Sequence, residues 1–70
     1  MDIPKEKYIG IVKHTLKSMA DLSMKDKSYC LYDDIISYYN NTIEPEGVLT
    51  NKEFTGICRE VAAELTKAAN

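Results

Sequence analysis

Tryptophan is absent from this 70-residue chain, and proline, cysteine and histidine are scarce, with two, two and one copies. Two cysteines and one histidine fall short of the usual four-ligand zinc site. No apolar run approaches the roughly 20 residues of a membrane-spanning helix, and the N-terminus has no signal-peptide pattern. The sequence therefore predicts an intracellular, cytoplasmic protein with no membrane segment.

The composition is that of a globular protein, with 44% hydrophobic and 29% charged residues. A chain of this length predicts a single domain over residues 1–70. So short a chain buries only a small core, and domains of this size often gain stability from a partner chain. We therefore expect self-association, in the form of a homodimer.

The charge is low and unevenly distributed. Nine basic and eleven acidic residues give a net charge of −2. Residues 1–27 have six lysines and four acids, whereas residues 28–70 have three basic and seven acidic residues. Such a chain has no overall attraction for a phosphate backbone, so nucleic acid is the less favoured partner.

A first helix is predicted from about Pro4 to Leu22. Asp2 followed by Pro4 is a helix-start signal, because proline lacks an N–H that the first turn would leave unpaired. Apolar residues then recur at helical spacing, at Ile9, Val12, Leu16 and Met19. The polar residues off this stripe are expected to be solvated: Lys5, Lys13, His14 and Lys17.

A second helix follows a polar loop over Ser23–Ser28. Its apolar face is predicted to contain Leu31, Tyr32, Ile35, Ile36 and Tyr39. A short strand over Ser28–Leu31 is the alternative for its first residues. Asn40 and Asn41 are predicted to end the helix, with a structured turn through Pro45 and Gly47.

A third helix is predicted to begin at Thr50–Glu53, whose spacing is that of a capping box. Its buried face is predicted to contain Phe54, Ile57, Cys58, Val61, Leu65 and Ala68. Cys30 and Cys58 both occur in apolar helical patterns, which favours packing over a disulfide. The fold class is therefore all-α, a small three-helix domain.

The link between the second and third helices resembles the second half of an EF-hand. With Glu53 at position twelve of the calcium loop, Gly47 falls at position six and Leu49 at position eight, and Phe54 begins the exiting helix. Thr42 then occupies position one, where the family normally has Asp.

A 14-residue register from Asn40 to Glu53 instead resembles the variant first hand of calgranulin-type proteins, and the resemblance covers about residues 31–65. It implies an EF-hand-like helix-loop-helix, with calcium as the ion and a paired hand in a dimer. The implied ligands are the carbonyls of Asn40, Ile43, Pro45 and Val48 and the carboxylate of Glu53. Capping alone also accounts for Thr50 and Glu53, so calcium is optional.

The function predicted from these features is a small non-enzymatic protein-interaction or regulatory module. Tyrosine and methionine are common contact residues, and the chain has several near its second helix. The candidate interaction surface comprises Met19, Met24, Tyr29, Tyr32, Tyr38 and Tyr39. Each of these residues could instead belong to the core.

The alternative function is nucleic-acid binding by a helix-turn-helix or winged-helix-like unit that reads bases with its third helix. The candidate contacts are Thr50, Asn51, Lys52, Thr55 and Arg59. A predicted link over residues 40–49 is long for such a unit. Catalysis has the least support, because His14 and the cysteines lie on separate helices and Asp33–Asp34 point about 100° apart on theirs.

Overall fold

The computed structural model describes residues 3–69, and these residues form three helices and no strand. Helix α1 spans Lys5–Lys25 and helix α3 spans Asn51–Ala69. Helix α2 covers residues 31–46 in three consecutive segments, Leu31–Tyr38, Tyr39–Ile43 and Glu44–Glu46. The predicted all-α, three-helix class is confirmed, and the alternative strand is not formed. None of these helices has an apolar stretch sufficient to cross a membrane.

Helix α1 begins where the sequence predicts but ends later. The carbonyl of Pro4 accepts the first helical hydrogen bond, while the predicted cap Asp2 lies outside the described residues. The predicted end at Leu22 is wrong, since the helix continues to Lys25. An ion pair of 3.2 Å between Asp21 and Lys25, one turn apart, supports this last turn.

Helix α2 continues through the residues predicted to end it. The prediction of a turn from Asn40 onward is wrong, because Tyr39–Ile43 form a π-helical turn and Glu44–Glu46 continue as α-helix. The N–H of Glu44 donates to the carbonyl of Tyr39, which is the wider hydrogen-bond spacing of a π turn. This insertion precedes Pro45, which has no N–H to donate to the helix.

A four-residue link, residues 47–50, joins α2 to α3. Gly47 ends α2 with φ of 67°, the left-handed conformation that glycine adopts without a steric penalty. The predicted capping box is confirmed. The N–H of Glu53 donates to Thr50 Oγ1 at 3.1 Å, and the N–H of Thr50 donates to Glu53 Oε1 at 2.9 Å.

The core lies where the three helices meet. All of its buried side chains are apolar, as follows: Val12, Leu16, Ile43, Leu49, Phe54, Ile57 and Val61. The Phe54 ring lies 5.3 Å from that of Tyr39 and 6.1 Å from that of Tyr38, measured between centroids. These ring contacts join α2 to the first turns of α3.

Helices α1 and α3 run parallel, as a ladder of three ion pairs shows. The residue numbers rise together along both helices in the pairs Lys5–Glu53, Lys13–Glu60 and Lys17–Glu64, at 2.6, 2.8 and 3.6 Å. The prediction that these lysines are merely solvated is therefore wrong, although they remain partly exposed. Helix α2 runs antiparallel to α1, since the Tyr8 hydroxyl donates to Glu46 at the end of α2.

Candidate interaction groove

A groove lies between α2 and α3, on the surface of the two helices. The first segment of α2, Leu31–Tyr38, and helix α3 both pack against α1. Its open part has a volume of about 450 Å³. The walls include Tyr32, Ile36 and Tyr39 from α2 and Asn51, Thr55 and Cys58 from α3. The floor is formed by Phe54 and Ile35.

A smaller apolar cavity of about 100 Å³ adjoins this groove toward the first turn of α2, and Leu16 and Ala20 of α1 also line it. Ile35 and Cys58 line both spaces, and Leu31 and Leu65 lie at the far end. Asn51 and Leu65 are fourteen residues apart, which corresponds to about 21 Å along α3. We call the combined feature the α2–α3 groove.

The helical spacing of the sequence explains why the α2 wall of the groove is largely apolar and aromatic. On α2, positions 32, 35, 36 and 39 fall on one face. Only part of this face packs against the core. Two of its side chains are therefore left at the surface, Tyr32 at 73% exposure and Ile36 at 41%. The expectation that an apolar stripe of this kind belongs to the core is therefore wrong for Tyr32 and Ile36.

The flanks of the groove differ in charge. On α3, Lys52 is next to Asn51 and Arg59 is next to Cys58. Neither basic side chain forms an ion pair within the described part of the chain. The three acids of α3 are instead paired with α1. The α3 flank is therefore basic, whereas Asp33 follows Tyr32 on α2 and makes that flank acidic.

Cys58 contributes its thiol to the groove wall. The side chain is partly buried, and this burial raises the pKa of the thiol, so the neutral form is favoured. Cys30 precedes α2 and is exposed, which contradicts its predicted packing. Both cysteines are free thiols.

The structure brings two of the six predicted interaction residues together, Tyr32 and Tyr39. Tyr38 and Met19 pack against the core, as Tyr39 also does, but they line neither part of the groove. The other two lie elsewhere: Met24 is 80% exposed near the end of α1, and Tyr29 donates its hydroxyl hydrogen bond to Asp34. That bond raises the pKa of Tyr29 to about 12.

The sequence pattern does not predict a protein-binding surface on α3. It places Asn51 and Thr55 only among the candidate nucleic-acid contacts, and Cys58 only on the buried face. Their spacing of three and four residues places them on one helical face, which is the signal that could have identified the wall.

The residues implied as calcium ligands lie mostly on helical backbone. Asn40 and Ile43 belong to the π turn and Pro45 to the segment after it, whereas Val48 is exposed in the link. The carbonyl of Ile43 accepts a hydrogen bond from the N–H of Gly47.

The last implied ligand, Glu53, already uses both carboxylate oxygens, one toward Thr50 and the other toward Lys5. The hydrogen bond from Lys5, followed by the one from the Thr50 backbone, lowers the pKa of Glu53 to about 2. Among residues 3–69, no cluster of three or more His, Cys, Asp or Glu side chains could hold a metal.

The residues proposed for nucleic-acid contact all lie exposed on the link or on α3: Thr50, Asn51, Lys52, Thr55 and Arg59. The objection that the link is too long is wrong, because it has four residues. Thr50 is engaged in the capping box, and Asn51 and Thr55 line the groove.

Comparisons with known proteins do not identify a family. No protein-family model matches the chain, and neither do any curated proteins or solved structures. The assignment of a function therefore depends on the geometry of the groove.

Proposed function

We propose that this chain is a small non-enzymatic protein-interaction module that binds an amphipathic helix in the α2–α3 groove. The observation that supports it is the groove itself, a channel between two antiparallel helices lined by apolar and aromatic side chains together with Asn40, Asn51 and Thr55, and adjoined by a smaller apolar cavity. A helix in such a channel presents apolar residues at the spacing i, i+3, i+4 and i+7.

The arrangement of the three helices supports a helical ligand in particular. Both α2 and α3 pack against α1 on one side, and on the other side their exposed faces diverge around the groove. A fourth helix placed there would complete a four-helix bundle, in which each helix buries its apolar stripe against its neighbours. Tyr32 and Ile36 would then become buried.

In-cell photocrosslinking tests this function. A photoreactive p-benzoylphenylalanine replaces Ile36 in the groove, and the matched control replaces Ile11, which is 48% exposed on α1 and lines none of the cavities described above. We expect a protein adduct at position 36 and none at position 11. Equal labelling at both positions, or no adduct at position 36, would refute the proposed function.

Nucleic-acid binding is the second candidate, and the four-residue link containing Gly47 favours it, since helix-turn-helix units have such turns. The antiparallel course of α2 and α3 favours it less, because those units cross at about 90–120°. Binding to duplex DNA that weakens steeply with salt would support this candidate. A response that does not change with salt would reject it.

A further inference from the structure

We propose that the occupant of the α2–α3 groove is a second copy of this chain, related by a two-fold axis that runs along the groove. This inference rests on the proposed function because it concerns the same surface. It differs in one respect, since side chains from α2 and α3 of the partner, rather than one inserted helix, fill the groove. Its support comes from the surface area of one chain and from the positions of the charges along the groove.

One copy exposes more surface than its mass requires. The accessible surface is 5341 Å², whereas a compact monomer of this mass exposes roughly 4,400 Å². The radius of gyration is 12.5 Å, compared with about 11 Å for a compact domain of this length. This surplus belongs to the chain as a whole. At the α2–α3 groove, the exposed large apolar side chains are Tyr32, Ile36 and Leu65.

The residues that line the groove establish the register of α2 against α3. Asn40 and Asn51 line the same end, and Leu31 and Leu65 line the other. Counted from the end lined by Asn40 and Asn51, Asp33 lies about 10.5 Å along α2 and Arg59 about 12 Å along α3, at about 1.5 Å per helical residue. These two charges are therefore at about the same height on opposite flanks.

A two-fold axis along the groove preserves this height and exchanges the flanks. Helix α2 of one copy then faces α3 of the other, and Asp33 faces Arg59 of the partner subunit, twice in the dimer. Tyr32 and Ile36 of each copy enter the groove between the helices of the other. Opposite charges thus meet around an apolar centre, as in stable interfaces.

A two-fold axis across the groove gives the opposite electrostatic result. It would place α3 of one copy against α3 of the other. Lys52 and Arg59 of both copies would then lie along the same helix–helix contact. Like charges juxtaposed in an interface are unfavourable, so the charge pattern selects the axis along the groove.

Sedimentation of the full chain with a charge exchange tests the proposal. The wild type is expected to have twice the 7.9 kDa mass of one chain in the micromolar to millimolar range. Arg59→Glu places two acids opposite each other and raises the dissociation constant by roughly tenfold or more. Asp33→Arg has the same effect, and the double variant restores association.

The matched control is Lys67→Glu, which changes the charge equally on α3 but lies away from the groove. It is expected to sediment like the wild type, and far-UV circular dichroism checks that every variant is equally helical. A dimer that Arg59→Glu does not weaken, or that the double variant does not restore, would overturn the proposal.

The two proposals can fail separately. A wild type that stays monomeric up to millimolar concentration overturns the second copy as the occupant. If photocrosslinking still gives an adduct at position 36 and not at position 11, the groove binds a different protein. If both measurements are negative, the interaction function is refuted as well.

Discussion

Lys5 in the first turn of α1 and Glu53 in the first turn of α3 form an ion pair of 2.6 Å. The other carboxylate oxygen of Glu53 accepts the N–H of Thr50. A single carboxylate thus caps α3 and joins it to α1. It also places the start of α3 beside the start of α1, and the pairs Lys13–Glu60 and Lys17–Glu64 continue this parallel course.

Stability should depend on the ionisation of Glu53. Its pKa falls from the ordinary 4.5 to about 2 in the folded chain, so its ionised form stabilises the fold above pH 4.5. This contribution is lost as the pH falls through about 2. We expect Glu53→Gln, which keeps an oxygen for the cap, to show a smaller loss of stability over that range. Urea unfolding midpoints at several pH values measure it, and parallel curves for the two proteins would contradict the account.

Alanine should have opposite effects at two glycines. Neither Gly47 nor Gly56 has an atom within 4 Å of an added Cβ. The backbone conformation therefore determines whether alanine stabilises or destabilises the fold. Gly47 has φ of 67°, and Gly47→Ala should destabilise the chain by about 1 kcal/mol. Gly56 lies within α3, and Gly56→Ala should stabilise it by about 0.5–1 kcal/mol. Thermal unfolding compares the two, and a shift of the same sign would be inconsistent with the left-handed end of α2.

The π turn of α2 should depend on the burial of Ile43. Its side chain is fully buried, whereas Ile11 is 48% exposed. Ile43→Ala should therefore cost about 2–5 kcal/mol, and Ile11→Ala should change stability by less than about 0.5 kcal/mol. Denaturant unfolding of both variants gives the comparison. Similar losses at the two positions would show that residue 43 does not point into the core.

Polar substitution in the groove should separate association from folding. Ile36→Ser removes apolar surface that one copy leaves 41% exposed, so the fold should lose little stability. The same change should weaken the dimer, because it removes an apolar side chain from the centre of the proposed interface. Unfolding under dilute conditions and sedimentation at high concentration measure the two effects. A large loss of monomer stability would place Ile36 in the core instead.

Local patterns in the sequence were sufficient to predict the three helices. The apolar spacing from Ile9 to Met19 depends only on the helical period, and the Thr50–Glu53 pair closes over three residues. Both signals are confined to residues that are close in sequence, so they can be identified without knowledge of the tertiary structure. The third helix accordingly begins where it was predicted.

The end of α2 could not be predicted in the same way. Asn40, Asn41 and Pro45 have weak helix propensity, which favours a turn. In the structure, tertiary packing of the buried Ile43 outweighs this preference and a π turn accommodates the segment. The calcium-loop resemblance depended on the same stretch being a loop, and ion binding there stays a prediction.

The groove could not be predicted from the sequence for a related reason. Periodicity shows that Tyr32, Ile35, Ile36 and Tyr39 share a face, but it does not show how much of that face the neighbouring helices cover. The pairing of Lys13 with Glu60 was equally unpredictable, because it requires the parallel course of α1 and α3. Features that depend on the packing of whole helices thus needed the structure.

The most direct test of the groove as the contact surface is a dilution series of amide NMR spectra. We predict concentration-dependent shifts along the groove, at Tyr32, Ile36, Thr55 and Arg59, with no change around Ile11. Shifts that are absent up to millimolar concentration, or that centre on Ile11, would contradict self-association through the α2–α3 groove.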